Sequence, residues 1–217
     1  MSKRFKFSDA DKQKIQEAVK NVEAKTSGEI VPYFVKRSDN YTEAPFIASF
    51  IVGVILIIAV NLLSQMWLLP FKFDLLIYSL IGVGTVGLVF LAVAICPFLK
   101  RAVISEQKEI KMVNKRAFEA FVSEEVFNTK DRTGILIFIS GLEHNVEIIG
   151  DSGINQKVKP EDWLHIVDDL TKAIKKKNVV NGLVNAIDQC GELLVNAGFD
   201  KKEDDTNELS DEIRIEE

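Results

Sequence analysis

Two long uncharged runs dominate the hydrophobic pattern of the chain. The first extends from Phe46 to Leu63 and the second from Leu75 to Leu99. A helix needs about 20 mostly apolar residues to cross the hydrocarbon core of a bilayer. Only these two runs meet that requirement, and a short connector at residues 64–74 joins them. The pattern therefore predicts a transmembrane hairpin whose two helices leave and return to the same side of a lipid bilayer.

The basic residues beside the two runs predict an orientation. Lys36 and Arg37 precede the first run, the connector contains Lys72 alone, and the second run is followed by Lys100, Arg101, Lys108, Lys111, Lys115 and Arg116. Cytoplasmic loops carry an excess of Lys and Arg. The N-terminal segment has basic residues but no apolar stretch typical of a cleavable signal peptide. We therefore expect an integral protein of the plasma or inner membrane with two spans and a cytoplasmic soluble domain.

The rest of the chain alternates between helical and strand periodicity. Apolar residues at helical spacing predict helices at 9–25, 102–124, 160–177 and 180–197, and apolar runs predict strands at 29–35, 134–139 and 146–149. Pro32 weakens the first strand or makes it an edge strand. The helix at 102–124 either stands alone or continues the second span beyond a kink at Pro97. Gly82, Gly84 and Gly87 are expected to let the two spans approach closely.

If the strands that begin at residues 29 and 134 share a sheet, their connection is a crossover that contains the hairpin. This gives a domain interrupted by the membrane: residues 1–43 and 100–199 form its two parts, 44–99 the hairpin and 200–217 an acidic tail. From Asp200 onward, nine acidic residues face three basic ones, which is typical of a solvated tail. The alternation Ile213-Arg214-Ile215 leaves a short added strand open.

Composition excludes some classes of function. The net charge of −5 argues against nucleic-acid binding, which needs a clustered basic surface. Two cysteines, Cys96 and Cys190, make no disulfide framework and are expected to be buried thiols. The chain has no phosphate-binding glycine loop, no Cys-x5-Arg loop, no Asp-x-Asp pair and no HExxH. No catalytic motif is therefore evident.

The best candidate site is the loop Gly150-Asp151-Ser152-Gly153 after the third strand. Ligands of open α/β sheets gather beyond the carboxyl ends of strands, and carboxylate oxygens suit Ca²⁺ or Mg²⁺. Asp39, at the exit of the first strand, is expected to share that edge if the two strands are parallel. The alternative is a polar turn in which Asp151 caps backbone amides.

Two further groups have structural interpretations. Asp131 and Arg132 precede a strand and are expected at the opposite end of the sheet from Asp151, held in an ion pair. His165 is spaced to share a helix face with Asp168 and Asp169, for which solvated side chains are favoured over a metal site.

Several segments together resemble the TPM domain family: Thr26-Ser27-Gly28-Glu29-Ile30-Val31, Arg37–Tyr41, Arg132–Ile137 and Val146–Ile154. In particular, the segments resemble a bacterial membrane branch of the family in which two spans interrupt the domain after its first strand. The resemblance implies a Rossmann-like αβα sandwich. Relatives in this family are described as phosphatases, as calcium-binding proteins or as accessory factors for membrane complexes, and the resemblance implies one of these roles.

These observations lead to one expected function and one alternative. The expected function is a membrane-anchored TPM-like module that binds or assists a membrane-protein partner, with Ca²⁺ or Mg²⁺ as the candidate ligand of Asp151 and Asp39. The alternative is a metal-dependent phosphatase, which the family resemblance alone suggests.

Overall fold

A computed structural model describes residues 6–65, 75–201 and 206–216. Within them the helices are α1 (Asp9–Glu23), α2 (Ala44–Gln65), α3 (Leu75–Ile95), α4 (Pro97–Val103), α5 (Glu106–Ser123), α6 (Ser152–Asn155), α7 (Leu164–Lys175) and α8 (Val179–Asn196), with one 3-10 turn at Pro160–Trp163. The strands are β1 (Glu29–Val35), β2 (Gly134–Ser140), β3 (Asn145–Gly150) and β4 (Arg214–Glu216). The chain divides into two compact units, one containing Asn40–Glu109 and the other the chain before and after it.

The larger unit is built on a four-stranded sheet of order β3-β2-β1-β4. β1 and β2 are parallel neighbours, in register from Glu29 beside Gly134 to Val35 beside Ser140. β4 runs parallel to β1, and β3 is antiparallel to β2. The prediction that the first two strands share a sheet is confirmed, so their connection is a crossover that includes α2 to α5.

Pro32 is tolerated in β1 because of where its nitrogen points. The Glu29 amide donates to Thr133 next to β2, whereas the Lys36 amide donates to Glu216 on the opposite side. Alternation along a strand therefore directs the Pro32 nitrogen toward β4. Pairing with β4 begins only at Tyr33, so the missing N–H of Pro32 costs no ladder bond. β1 is an edge strand over its first half only.

Helices cover both faces of the sheet. One core contains Ile30 and Phe34 of β1, the three isoleucines of β2, and the apolar faces of α1, α7 and α8. The other contains Val31, Tyr33 and Val35 of β1 with Val113, Ala117, Ala120 and Phe121 of α5. Strands buried on both faces need apolar residues at every position, which explains the uninterrupted runs in β1 and β2. The unit is thus an α/β fold with helices on both sides of its sheet.

The smaller unit contains the two long apolar helices. Ala44–Leu63 and Ile77–Ile95 are long and apolar enough to cross a membrane. They pack antiparallel, with Phe46 against Phe90 at 5.1 Å between ring centroids and the Ser49 hydroxyl 3.4 Å from the Val86 carbonyl oxygen.

The glycine prediction for this pair is wrong. A Cβ added at Gly53 of α2 would lie 3.7 Å from Val86, whereas one added at Gly82, Gly84 or Gly87 would meet nothing within 4 Å. These α3 glycines therefore do not set the distance between the two helices. The connector residues Trp67, Phe71, Lys72 and Phe73 lie outside the described residues.

The chain does not continue as one helix from the second span into the domain. Cys96 is extended, with φ −99° and ψ 108°, and Pro97 begins α4. Proline fits the first turn of a helix because the N–H it lacks has no partner there. Ile104 is again extended and separates α4 from α5. The single helix predicted at 102–124 is therefore wrong at its start, because the backbone is broken twice before α5.

Candidate functional site

Asp151 occupies a tight corner at the end of β3 rather than an open loop. It is the N-cap of α6, and its Oδ1 accepts a 2.6 Å hydrogen bond from the Ser152 amide. Gly153 packs so closely on the preceding corner that a Cβ would lie 2.4 Å from the Asp131 carbonyl oxygen. Of the two interpretations of this segment, the structure shows the polar turn in which Asp151 caps a backbone amide.

A guanidinium group already neutralises Asp151. Arg132 Nε lies 2.7 Å from Asp151 Oδ2, and Arg132 Nη2 donates to Oδ1 at 3.0 Å. The Asp151 side chain is only 5% exposed, whereas about half of the Arg132 side chain reaches solvent. The ion pair expected for Arg132 is present, but its predicted position at the opposite end from Asp151 is wrong. The reason is that β3 is antiparallel to β2, so the end of β3 lies beside the start of β2.

The same antiparallel pairing separates Asp151 from Asp39. Gly150 pairs with Ile135 at the start of β2, whereas Asp39 follows β1, whose last residue pairs with Ser140 at the end of β2. The five residue steps from Ile135 to Ser140 along β2 span about 17 Å. The expectation that the two aspartates share one edge is therefore wrong.

The residues around Asp151 do not fit Ca²⁺ or Mg²⁺. These hard cations take six or more oxygen ligands, whereas Asp151 is buried against a positive charge. Residues 6–65, 75–201 and 206–216 contain no group of three or more His, Cys, Asp or Glu side chains placed to hold a metal. His165 is exposed, and its neighbours Asp168 and Asp169 pair with Lys172 at 2.6 and 3.6 Å.

Removing the Arg132 guanidinium is expected to lower the free energy of unfolding more than removing the Asp151 carboxylate. Arg132→Gln leaves a buried carboxylate without its charge partner and should lower the free energy of unfolding by about 2 kcal/mol. Asp151→Asn keeps an oxygen for the Ser152 amide and should cost less. Thermal unfolding of both variants and of the double variant in detergent measures the difference.

The double variant is expected to be more stable than Arg132→Gln. Millimolar Ca²⁺ should leave the melting temperature of the native chain unchanged. A clear rise with Ca²⁺ that Asp151→Asn abolishes would contradict the assignment of Asp151 to an ion pair.

The carboxyl ends of β1 and β2 carry a polar network that the sequence did not indicate. Glu143 is buried and accepts hydrogen bonds from the Ser38 amide, at 3.2 Å from Oε1, and from the Ser140 hydroxyl. The Ser38 hydroxyl in turn donates to Ser140 Oγ at 2.9 Å. The network joins the exits of the two central strands. In the sequence, the only indications of this network are Ser140 at the end of an apolar strand and Glu143 three residues later.

Three carboxyl groups gather at the other end of β1. Glu23, Glu29 and Asp211 are each less than 8% exposed. Glu23 Oε1 accepts the Ile30 amide at 2.9 Å, whereas its buried Oε2 has no hydrogen-bond partner among the described residues. Burial, reinforced by the nearby charges of Glu29 and Asp211, raises the pKa of Glu23 to about 9. Glu23 is therefore protonated at neutral pH.

The C-terminal segment closes this edge of the sheet. The Leu209 amide donates to Glu29 Oε2 at 3.3 Å, and Glu208 accepts from the Lys130 amide at 3.0 Å. Glu216, in β4, binds Arg116 and accepts from the Tyr33 hydroxyl at 3.0 Å. These contacts hold the pKa of Glu216 below its usual value, Arg116 being the main cause. The expectation of a solvated tail does not hold for residues 206–216, and the short strand left open there is present.

Comparisons with known proteins support the family resemblance over part of the chain. Residues 92–193 match the TPM domain family. This TPM segment contains Arg132, Glu143 and Asp151, whereas β1 and β4 lie outside it. The NMR structure of the BA42 protein from the psychrophilic bacterium Bizionia argentinensis superposes with a TM-score of 0.59 over 99% of each chain, at 20% identity. That likeness concerns the fold alone. No curated protein matches the sequence.

Proposed function

We propose that α2 and α3 anchor this TPM-like domain in a membrane as a two-span hairpin, and that the domain acts there as a binding or accessory module for membrane-protein complexes. The observation that carries the proposal is the exposure of these helices. Only 11% of the first apolar window and 6% of the second are buried within the structure. A core helix of a water-soluble protein would bury most of such a surface.

The position of the hairpin supports the same proposal. It lies within the crossover between β1 and β2, which are paired along their whole length. An even number of spans returns the chain to the side where β1 lies, so the sheet can close. The excess of Lys and Arg outside the connector favours cytoplasmic flanks.

The polar groups described above in the TPM segment have intramolecular partners. Arg132 and Asp151 neutralise each other, and the Glu143 carboxylate is hydrogen-bonded within its own network. These groups stabilise the corners of the sheet. Nothing in the described residues favours the alternative, a metal-dependent phosphatase, over this proposal.

Labelling of single cysteines in intact cells tests the anchor and its orientation. In a Cys96→Ala background, Lys72→Cys in the connector is expected to react with an impermeant maleimide added outside. Lys12→Cys on α1 is expected to react only after the membrane is opened. About half of the Lys12 side chain is exposed, so its protection in intact cells would reflect the bilayer rather than folding. Labelling of Lys12→Cys in intact cells would contradict the cytoplasmic orientation.

Crosslinking in native membranes followed by affinity capture tests the accessory role. The full chain should recover a reproducible membrane-protein partner. The same hairpin inserted in an unrelated soluble domain serves as the control. Recovery of identical proteins by both baits, or of none by the full chain, would contradict the role.

A further inference from the structure

The outward face of α5 carries apolar and basic side chains without an acidic one. At about 100° per residue, the exposed residues Ile110, Lys111, Asn114, Lys115, Phe118 and Val122 lie within an arc of about 140°, whose edge also includes the buried Phe121. Between residues 110 and 122 the one acidic residue in the sequence is Glu119. It lies beyond the arc and pairs with Lys115 at 3.7 Å and Arg116 at 3.2 Å. We call these six residues the basic-apolar face.

The apolar members of this face are not part of the core. Ile110, Phe118 and Val122 are 43%, 62% and 46% exposed, whereas Val113 and Ala117 on the inner side of α5 are fully buried. Single exposed apolar residues are ordinary, but three along one face of one helix form a surface suited to a ligand. The inner side of α5 packs on the sheet.

The charged groups around this face leave Lys111 and Lys115 able to bind an anionic ligand. Arg116 on the other side of α5 is bound to Glu216. Lys115 keeps 68% of its side chain exposed despite its contact with Glu119. On the neighbouring strand β3, Glu147 Oε2 lies 3.3 Å from the side-chain amide group of Asn114, and burial raises the pKa of Glu147. Protonation is therefore easier for this neighbouring carboxyl than for an exposed one.

We propose that the basic-apolar face of α5 binds the surface of an anionic phospholipid bilayer, with Phe118 and Val122 at the headgroup boundary and Lys111 and Lys115 beside lipid phosphates. This inference rests on the proposed hairpin, because only ten residues separate the end of α3 at Ile95 from the start of α5 at Glu106. Basic residues next to a span bind anionic headgroups, and aromatic and aliphatic residues beside lysines suit an interfacial helix.

Lipid is favoured over a protein as the occupant because of the lysines. Protein interfaces are depleted in Lys at their cores, whereas here Lys111 and Lys115 alternate with the apolar residues along the helix. Long lysine side chains can reach headgroups while the apolar groups beside them enter the boundary. Contact with anionic lipid would hold the domain close to the membrane and make its position depend on lipid composition.

An environment-sensitive fluorophore on single cysteines tests this inference in the full chain. The positions are Val122→Cys in the face, its neighbour Ser123→Cys about 100° away, and Val54→Cys within α2, all with Cys96→Ala. Native Cys190 is buried and should remain unlabelled. Each protein is reconstituted in vesicles of phosphatidylcholine alone or mixed with phosphatidylglycerol. Quenchers attached to lipid and quenchers dissolved in water then report the surroundings of the fluorophore.

The fluorophore at residue 122 is expected to be quenched from lipid in vesicles with phosphatidylglycerol, and much less in their absence. The fluorophore at residue 123 should stay in water in both. Lys111→Gln with Lys115→Gln should weaken the equilibrium for lipid contact about 25-fold, since each lysine near an anionic surface contributes about fivefold.

The label in α2 separates the two ways in which the inference can fail. If residue 54 is in lipid and residue 122 is in water in both vesicles, the lipid contact is overturned and the hairpin stands. If residue 122 is shielded from water but not quenched from lipid, α5 binds protein and the inference is overturned. If residue 54 is itself in water, the proposed hairpin fails and the inference fails with it.

Discussion

A lysine at the middle of each apolar helix is expected to remove the protein from the membrane fraction. Ile55 of α2 and Leu88 of α3 are 57% and 70% exposed, so Ile55→Lys and Leu88→Lys disturb little internal packing. At the centre of a span each lysine costs about 3 kcal/mol of insertion free energy. The double variant should therefore lose its resistance to extraction from membranes by alkaline carbonate, which the native chain should show.

Leu164→Lys on α7 is the matched control. Leu164 is 64% exposed, but it belongs to the α/β unit, so its replacement should leave carbonate resistance intact. If α2 and α3 were instead surface helices in water, the double lysine variant would be as well folded as the native chain and more soluble. That result would contradict the membrane hairpin.

Neutralising Glu23 is expected to stabilise the protein, increasingly so as the pH rises. The pKa of Glu23 rises from 4.5 to about 9 on folding, burial being the largest cause. Between these values the folded protein keeps a proton that the unfolded chain releases, so stability falls as the pH rises through this range. Glu23→Gln keeps an oxygen for the Ile30 amide and removes this loss, which amounts to at most about 3 kcal/mol at pH 7.

Urea unfolding of the full chain in detergent at pH 5 and pH 8 measures this effect. The advantage of Glu23→Gln should be small at pH 5 and largest at pH 8. Glu17→Gln, an exposed position on the same helix, should change the free energy of unfolding by less than about 0.5 kcal/mol at either pH. An equal loss of stability at both pH values in Glu23→Gln would show that Glu23 is ionised in the folded state.

The sheet could be predicted from the sequence because its strands carry strong local patterns. β1 and β2 are buried on both faces, and their uninterrupted apolar residues mark them without any knowledge of neighbours. Elements with a strong local pattern of apolar residues can therefore be found from periodicity alone.

The candidate site could not be predicted because it depends on the direction of strands. Because β3 is antiparallel to β2, the end of β3 lies beside the start of β2, which places Asp151 next to Arg132 rather than at the opposite end of the sheet. The buried group of Glu23 and Asp211 joins residues far apart in sequence. No local pattern distinguishes such carboxyl groups from solvated ones.

The parallel pairing of β1 with β2 also fixes an order of events during synthesis. Gly134 pairs with a residue about a hundred positions earlier in the chain, and the whole apolar hairpin is translated between them. Contacts this distant form slowly because a long loop must close first. The emerging β1 must therefore wait, unpaired and prone to aggregation, until both apolar helices have left the ribosome. In the proposed anchor, insertion of this hairpin therefore precedes completion of the sheet, because β2 can reach β1 only after both apolar helices have been made.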